Sequence, residues 1–181
     1  MLIPGIDDRL TFLVLGALLG FLLGRLAEWL MAGDQRRDAA KTVALPLLSI
    51  AKALHKHCAM IDDALVGSGE SLRTYYRSVV ELVPQADLDE LNGHVRSTLR
   101  LPHGALADLR AAHQAASRAQ GRHDQLRQTL EMSETLASEG AANRRLILSA
   151  RQSVRGGLQH IQELGPVDTR RAIADFIRKT S

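Results

Sequence analysis

From Leu10 to Gly24 the chain runs LTFLVLGALLGFLLG without a charge, and apolar residues continue past Arg25 through Leu26, Ala27, Trp29, Leu30, Met31 and Ala32. As a helix rising about 1.5 Å per residue, 10–32 covers roughly 34 Å, slightly more than the ~30 Å hydrocarbon core of a bilayer. The segment carries no polar stripe, which predicts a membrane-spanning helix in preference to a core helix of a soluble bundle. A cleaved secretory signal is disfavoured, because Asp7 and Asp8 accompany Arg9 ahead of the run and Met31 with Gly33 make a poor cleavage pair.

The charges inside the run stand near one end. Arg25 and Glu28 lie at i and i+3, where they can pair, Arg25 can snorkel to the headgroups, and Trp29 suits the interface. Arg9 alone precedes the span, whereas Arg36, Arg37, Lys41, Lys52 and Lys56 follow it, so the positive-inside rule puts the N-terminus outside and the rest in the cytoplasm. Gly16, Gly20 and Gly24 recur every four residues on one helix face, a spacing that lets a second backbone approach and predicts self-association of the span. Glycine is also frequent in membrane helices without any such role.

After the span every segment has helical rather than alternating periodicity, and Pro46, Pro84, Pro102 and Pro166 divide it. From Pro46, a natural first-turn residue, Leu47, Ile50, Leu54, Ile61 and Leu65 form a stripe that ends at Gly67, Ser68 and Gly69. Two shorter helices follow, Ser71 to Val83 with Leu72, Tyr75, Val79 and Leu82, and Ala86 to Leu99 with Leu88, Leu91, Val95 and Leu99, read as a hairpin around Pro84. One of Tyr75 and Tyr76 is expected to pack on the bundle while its neighbour points outward.

From Gly104 to Ala137, the positions Leu109, Ala112, Ala116, Ala119, His123, Leu126, Leu130, Ser133 and Ala137 step by three and four residues, which is heptad spacing with a seam rich in alanine. Ala141 to Leu164 answers with Ile147, Ala150, Val154, Gly157, Ile161 and Leu164. A short junction at Ser138–Gly140 then predicts an antiparallel pair. A last helix starts near Asp168 as N-cap and buries Ile173, Phe176 and Ile177. The expected fold is all-α: an outer N-terminus (1–9), a transmembrane helix (10–32), a juxtamembrane connector (33–45) and a cytoplasmic helical bundle (46–181), elongated and antiparallel with a coiled-coil-like hairpin.

Composition refines this picture. Only 3% of the 181 residues are aromatic against 45% hydrophobic, which suits a Leu/Ile/Val/Ala bundle better than a compact catalytic domain. The net charge of +3 names no partner. The single cysteine, Cys58, excludes an intramolecular disulfide.

His55, Cys58 and Asp62 fall at i, i+3 and i+7 on one helix face, beside His57 and Asp63, and are acceptable metal ligands. No HExxH or paired-cysteine spacing supports them, so Cys58 is read as a small packed side chain, with the histidines and aspartates facing water or capping the helix. His94, His103, His113, His123 and His160 are scattered, and no Glu-x-x-His pair marks a di-iron site. His123 reads as a polar seam residue that sets register. Phosphate-binding glycine loops and nucleophile motifs are missing from the sequence; Ser149 and Ser153 have no identifiable base, and Gly67-Ser68-Gly69 reads as a turn. No cofactor is expected.

Beyond Ala141, Arg144, Arg145, Arg151, Arg155, Arg170, Arg171, Arg178 and Lys179 stand against Glu163, Asp168 and Asp175. This basic end is either a solvated helix face or a docking surface for anionic lipid or an acidic protein; without aromatics to stack on bases, nucleic acid is the least favoured partner. The leading functional reading is a membrane-anchored interaction or assembly module, a scaffold or signalling adaptor without catalysis. The alternative is an effector whose span oligomerises into a pore under control of the bundle. Expressed alone, residues 1–40 collapse the membrane potential only under the second reading.

Overall fold

The computed structural model describes residues 8–67, 69–97, 101–130 and 135–180, with side chains from Gly16 onward. The described residues form six helices and no strand: α1 (Asp8–Val66), α2 (Gly69–Ser78), α3 (Gln85–Ser97), α4 (His103–Thr129), α5 (Leu136–Leu164) and α6 (Val167–Lys179). The protein is an all-α helical bundle led by one long helix. The expected outer segment up to residue 7, together with Ser68, Leu99 and Ser133, lies outside the described residues.

α1 is continuous for 59 residues, about 88 Å. Pro46 therefore lies inside a helix and does not begin one. Its missing N–H leaves the Thr42 carbonyl without the usual partner, a defect that costs about 3 kcal/mol in an isolated helix. Burial on both sides of it, by Val43, Ala44, Leu47, Leu48 and Ile50, offsets the loss. The core accordingly begins at Ala40, so the second half of the expected connector is already packed. The stripe Leu47, Ile50, Leu54 and Ile61 is buried as its spacing predicts, and the helix stops at Val66 ahead of Gly67.

α5 lies between α1 and α4 and packs along both. A Cβ on Gly157 would stand 3.4 Å from Leu47 and 3.6 Å from Leu109, while one on Gly140 would meet Leu72 at 3.3 Å and Leu65 at 3.4 Å. Rising residue numbers in α5 thus meet falling numbers in α1, so the two helices are antiparallel. The same contacts put Leu164, His103 and Ala40 at one end of the bundle. The seam Leu109, Ala112, Ala116, Ala119, His123, Leu126 and Leu130 faces Ile147, Ala150, Val154, Gly157 and Ile161, all buried.

Several boundaries differ from the sequence reading, each for a physical reason. The α4–α5 junction precedes Leu136, because Gly140 marks the close approach of α5 to Leu65 and Leu72 rather than a helix stop; Ala137 is exposed. α2 ends at Ser78, and Val79–Pro84 is a non-helical strap. α2 packs on α1, α4 and α5, and α3 on α1 and α4, in place of the expected hairpin. Pro166, not Asp168, is the N-cap of α6; Asp168 sits in its first turn, and Ile173 is buried with Phe176 and Ile177 partly so.

The space around Gly157 carries a prediction. An alanine methyl there reaches ordinary contact distance, and alanine is favoured over glycine inside a helix by about 0.5–1 kcal/mol. Gly157→Ala should raise the melting temperature by roughly 2 °C; a lower melting temperature would mean that Leu47 cannot yield.

Candidate functional site

Two features stand out from the packed helices, one apolar and exposed, the other polar and enclosed. The first is the opening part of α1. Leu19, Phe21 and Trp29 are 62%, 66% and 72% exposed, and Leu18, Leu22, Leu23, Leu26, Leu30 and Met31 are similarly bare. Burying such side chains is worth about 1.5–3 kcal/mol each, so a helix that leaves them all open to water is under strong pressure to find another solvent. Among the described residues α1 is the one helix long and apolar enough to cross a membrane, and its apolar stretch is unburied. Helical geometry satisfies its backbone internally, as lipid requires.

The expected side chains of this segment are placed as follows. Gly16, Gly20 and Gly24 are exposed, and an added Cβ at any of them meets nothing within 4 Å. Arg25 Nη1 stands 3.6 Å from Glu28 Oε2, and the Arg25 guanidinium lies 5.9 Å from the Phe21 ring centre.

The second feature lies where α2 closes over α1, α4 and α5. Both Tyr75 and Tyr76 are buried, against the expectation that one points outward, because α2 is enclosed by the other helices on both sides. Tyr75 meets the imidazoles of His57 and His123 edge-on, at ring separations of 6.4 and 5.8 Å. Tyr76 is 5.2 Å from His123, and its hydroxyl accepts a hydrogen bond from Asn143 Nδ2 at 3.1 Å. His57 is thus a core residue rather than a solvated one.

The strap Val79–Pro84 keeps backbone bonds to the flanking helices only at its ends, from the Val79 N–H to the Tyr75 carbonyl and from Asp87 and Leu88 to the Pro84 carbonyl, and side chains of α4 hold what lies between. Gln120 Oε1 accepts the N–H groups of Leu82 and Val83, both at 2.9 Å, while Gln120 Nε2 donates to both oxygens of Asp124 at 2.9 and 3.0 Å. His123 Nε2 donates to the Val79 carbonyl at 2.9 Å. Arg127 donates to the carbonyls of Tyr76 at 3.2 Å and Val80 at 2.9 Å. The carbonyl can only accept, so Nε2 of His123 carries the proton and the neutral ring keeps Nδ1 bare.

Burial holds both imidazoles in this neutral form. It pushes His57 down to about 4 from an ordinary 6.5, with smaller contributions from Lys56 and His123. It also lowers His123, against the opposing hydrogen bond that the ring donates to the Val79 carbonyl and the charge of Asp124. Tyr75 is raised by the same burial. Sequence reasoning singled out His123 as a polar seam residue but missed Gln120, Asn143 and Arg127. A polar residue beside a buried alanine at 119 was the available signal for Gln120.

The remaining candidates do not converge. Among the described residues no three His, Cys, Asp or Glu side chains are grouped to hold a metal ion. Cys58 is buried with its thiol pushed up by burial, and Asp62 is engaged in a bidentate pair with Arg144. The basic residues are spread over about 30 Å of α5 and α6. Arg144 is held by Asp62, Arg151 by the Thr180 carbonyl, Arg170 by the Gly165 carbonyl at 2.7 Å and Arg178 by Asp175 at 2.9 Å. Arg145, Arg171 and Lys179 are exposed, and Arg155 is half-buried. Near the end of α5, His160 pairs with Asp108 in an open polar cleft of about 600 Å³ that Glu163 and Arg170 also line. Among the described residues no Ser, Thr, Cys or Lys lines it. Comparison with protein-family models, curated proteins and solved structures returns no match.

Proposed function

We propose that the chain is a single-pass, membrane-anchored interaction or assembly protein that works without catalysis, with 10–32 in the bilayer, the N-terminus outside and the bundle in the cytoplasm. The observation that carries this reading is the bareness of Leu18 to Met31 on the same helix whose later residues, from Ala40, form the heart of the core. An apolar length that packs on nothing in its own chain is solvated by lipid or by another copy. The open faces of Gly16, Gly20 and Gly24 favour close contact between two spans inside that lipid. The basic residues that follow the apolar stretch support the orientation. The exposed cations of α5 and α6 are the surface on which an acidic protein or anionic headgroups would act, nucleic acid being the poorer fit.

Alkaline carbonate washing of isolated membranes tests the anchor. The protein is expected to stay in the pellet and to be released by detergent. Its appearance in the supernatant without detergent would overturn the reading.

A further inference from the structure

We propose that His57, Tyr75, Tyr76 and His123 form a proton-operated latch, whose protonation frees α2 and the 79–84 strap from the rest of the bundle while α4 and α5 stay paired. The strap is non-helical, and its backbone is fastened by side chains of α4: Gln120 on Leu82 and Val83, His123 on Val79, Arg127 on Val80. The unit is bounded by Gly67 and Gly69 on one side and Pro84 on the other, so it can lift without breaking a long helix.

Its underside is the Tyr75 ring, set between two imidazoles from different helices. Nδ1 of His57, Nδ1 of His123, the Tyr75 hydroxyl and Oδ1 of Asn143 are all buried without a hydrogen-bond partner. A proton added to either imidazole therefore creates a buried cation, and the one carboxylate among the described residues that acts on either ring, Asp124, is already engaged. Lys56 of α1 and Arg127 of α4 are themselves cations near the two rings, and the carboxylate of Asp124 is taken up at both oxygens by Gln120. From α2 come Tyr75 and Tyr76, both held neutral by burial. From α5 comes the neutral Asn143, while Arg144, Arg151 and the Asp62 carboxylate, itself paired with Arg144, act on the neighbouring Cys58; Glu139, with Arg122 of α4, acts on Tyr76. Water reaches the imidazoles once α2 lifts, and hydration restores their ordinary affinity for protons.

The sign follows directly. An exposed imidazole takes its proton near 6.5, and His57 in the closed bundle near 4, so between these values the open form binds more protons and falling pH favours opening. At pH 5 this amounts to about a 30-fold shift in the opening equilibrium from His57 alone. His123 adds to it in the same direction.

Hydrogen exchange of the full-length chain in a mild detergent, corrected for intrinsic rates, tests the latch at pH 7.5 and pH 5. Protection of the Leu82 and Val83 amides, which α4 holds through Gln120, should fall by about 30-fold or more at the lower pH, while that of Ala116 and Ala150 holds. Unchanged strap protection, or a loss shared equally by α4 and α5, would overturn the proposal. In His57→Gln/His123→Gln, where the glutamine amide can still donate to Val79 but cannot titrate, the drop should vanish; its persistence would also overturn it. Should that variant not fold, the wild-type imidazole resonances decide. They must titrate together with strap opening, and a separate midpoint rules the latch out.

Discussion

Gln120→Ala will detach the 79–84 strap and cost the bundle about 2–6 kcal/mol. One side-chain oxygen accepts the N–H groups of two consecutive buried residues, Leu82 and Val83, and alanine leaves both donors without a partner. An orphaned buried donor costs about 1–3 kcal/mol, and domains of this kind have only 5–15 kcal/mol in total. The truncation also releases Asp124, which fixes the orientation of the amide through Nε2. Chemical denaturation of the full chain measures the effect. A loss under about 1 kcal/mol would mean that water replaces the amide without difficulty, and that the strap is held by Leu82 and Val83 packing alone.

The second large effect concerns the opening length of α1. Leu19→Arg with Leu22→Arg places two guanidinium groups near the middle of 10–32, where each is expected to disfavour insertion by about 2.5–3.5 kcal/mol. The double variant should lose retention in carbonate-washed membranes, whereas Leu19→Phe with Leu22→Phe should keep it. Leu19 and Leu22 are exposed and lie far along α1 from the first core residue, Ala40, so the denaturation midpoint of the bundle should not move. Retention of the arginine variant would show that lipid does not surround this segment.

Helical class and most core positions were legible because they depend on periodicity alone. Leu47 to Ile61 in α1, Leu109 to Leu130 in α4 and Ile147 to Ile161 in α5 are buried at the positions their spacing picks out. What escaped the pattern depends on which other element arrives. Pro46 reads locally as a helix start, and only the packing of residues on both sides of it keeps α1 unbroken. Gly140 reads as a stop, yet it is the point where α5 needs room for Leu65 and Leu72. The partners of Gln120 are amides 37 and 38 positions away in a strap that looked helical, so no local signal announces them. Likewise, a one-sided stripe cannot report that α2 is covered on two sides, which is why both tyrosines are buried.

An unjointed α1 has a mechanical consequence. If 10–32 spans the bilayer as proposed, with Ala32 at the edge of the hydrocarbon, Ala40 follows about 12 Å further on, a gap of which headgroups fill about half. A folded protein of about 100 residues has a radius of gyration near 13 Å and cannot be wedged into that gap, so a docking protein must approach from the flank. The helix also acts as a lever. Val66 lies about 50 Å beyond Ala32 along the axis, so in a membrane-anchored chain a rocking of the shaft by about 10° would sweep the far tip through roughly 9 Å.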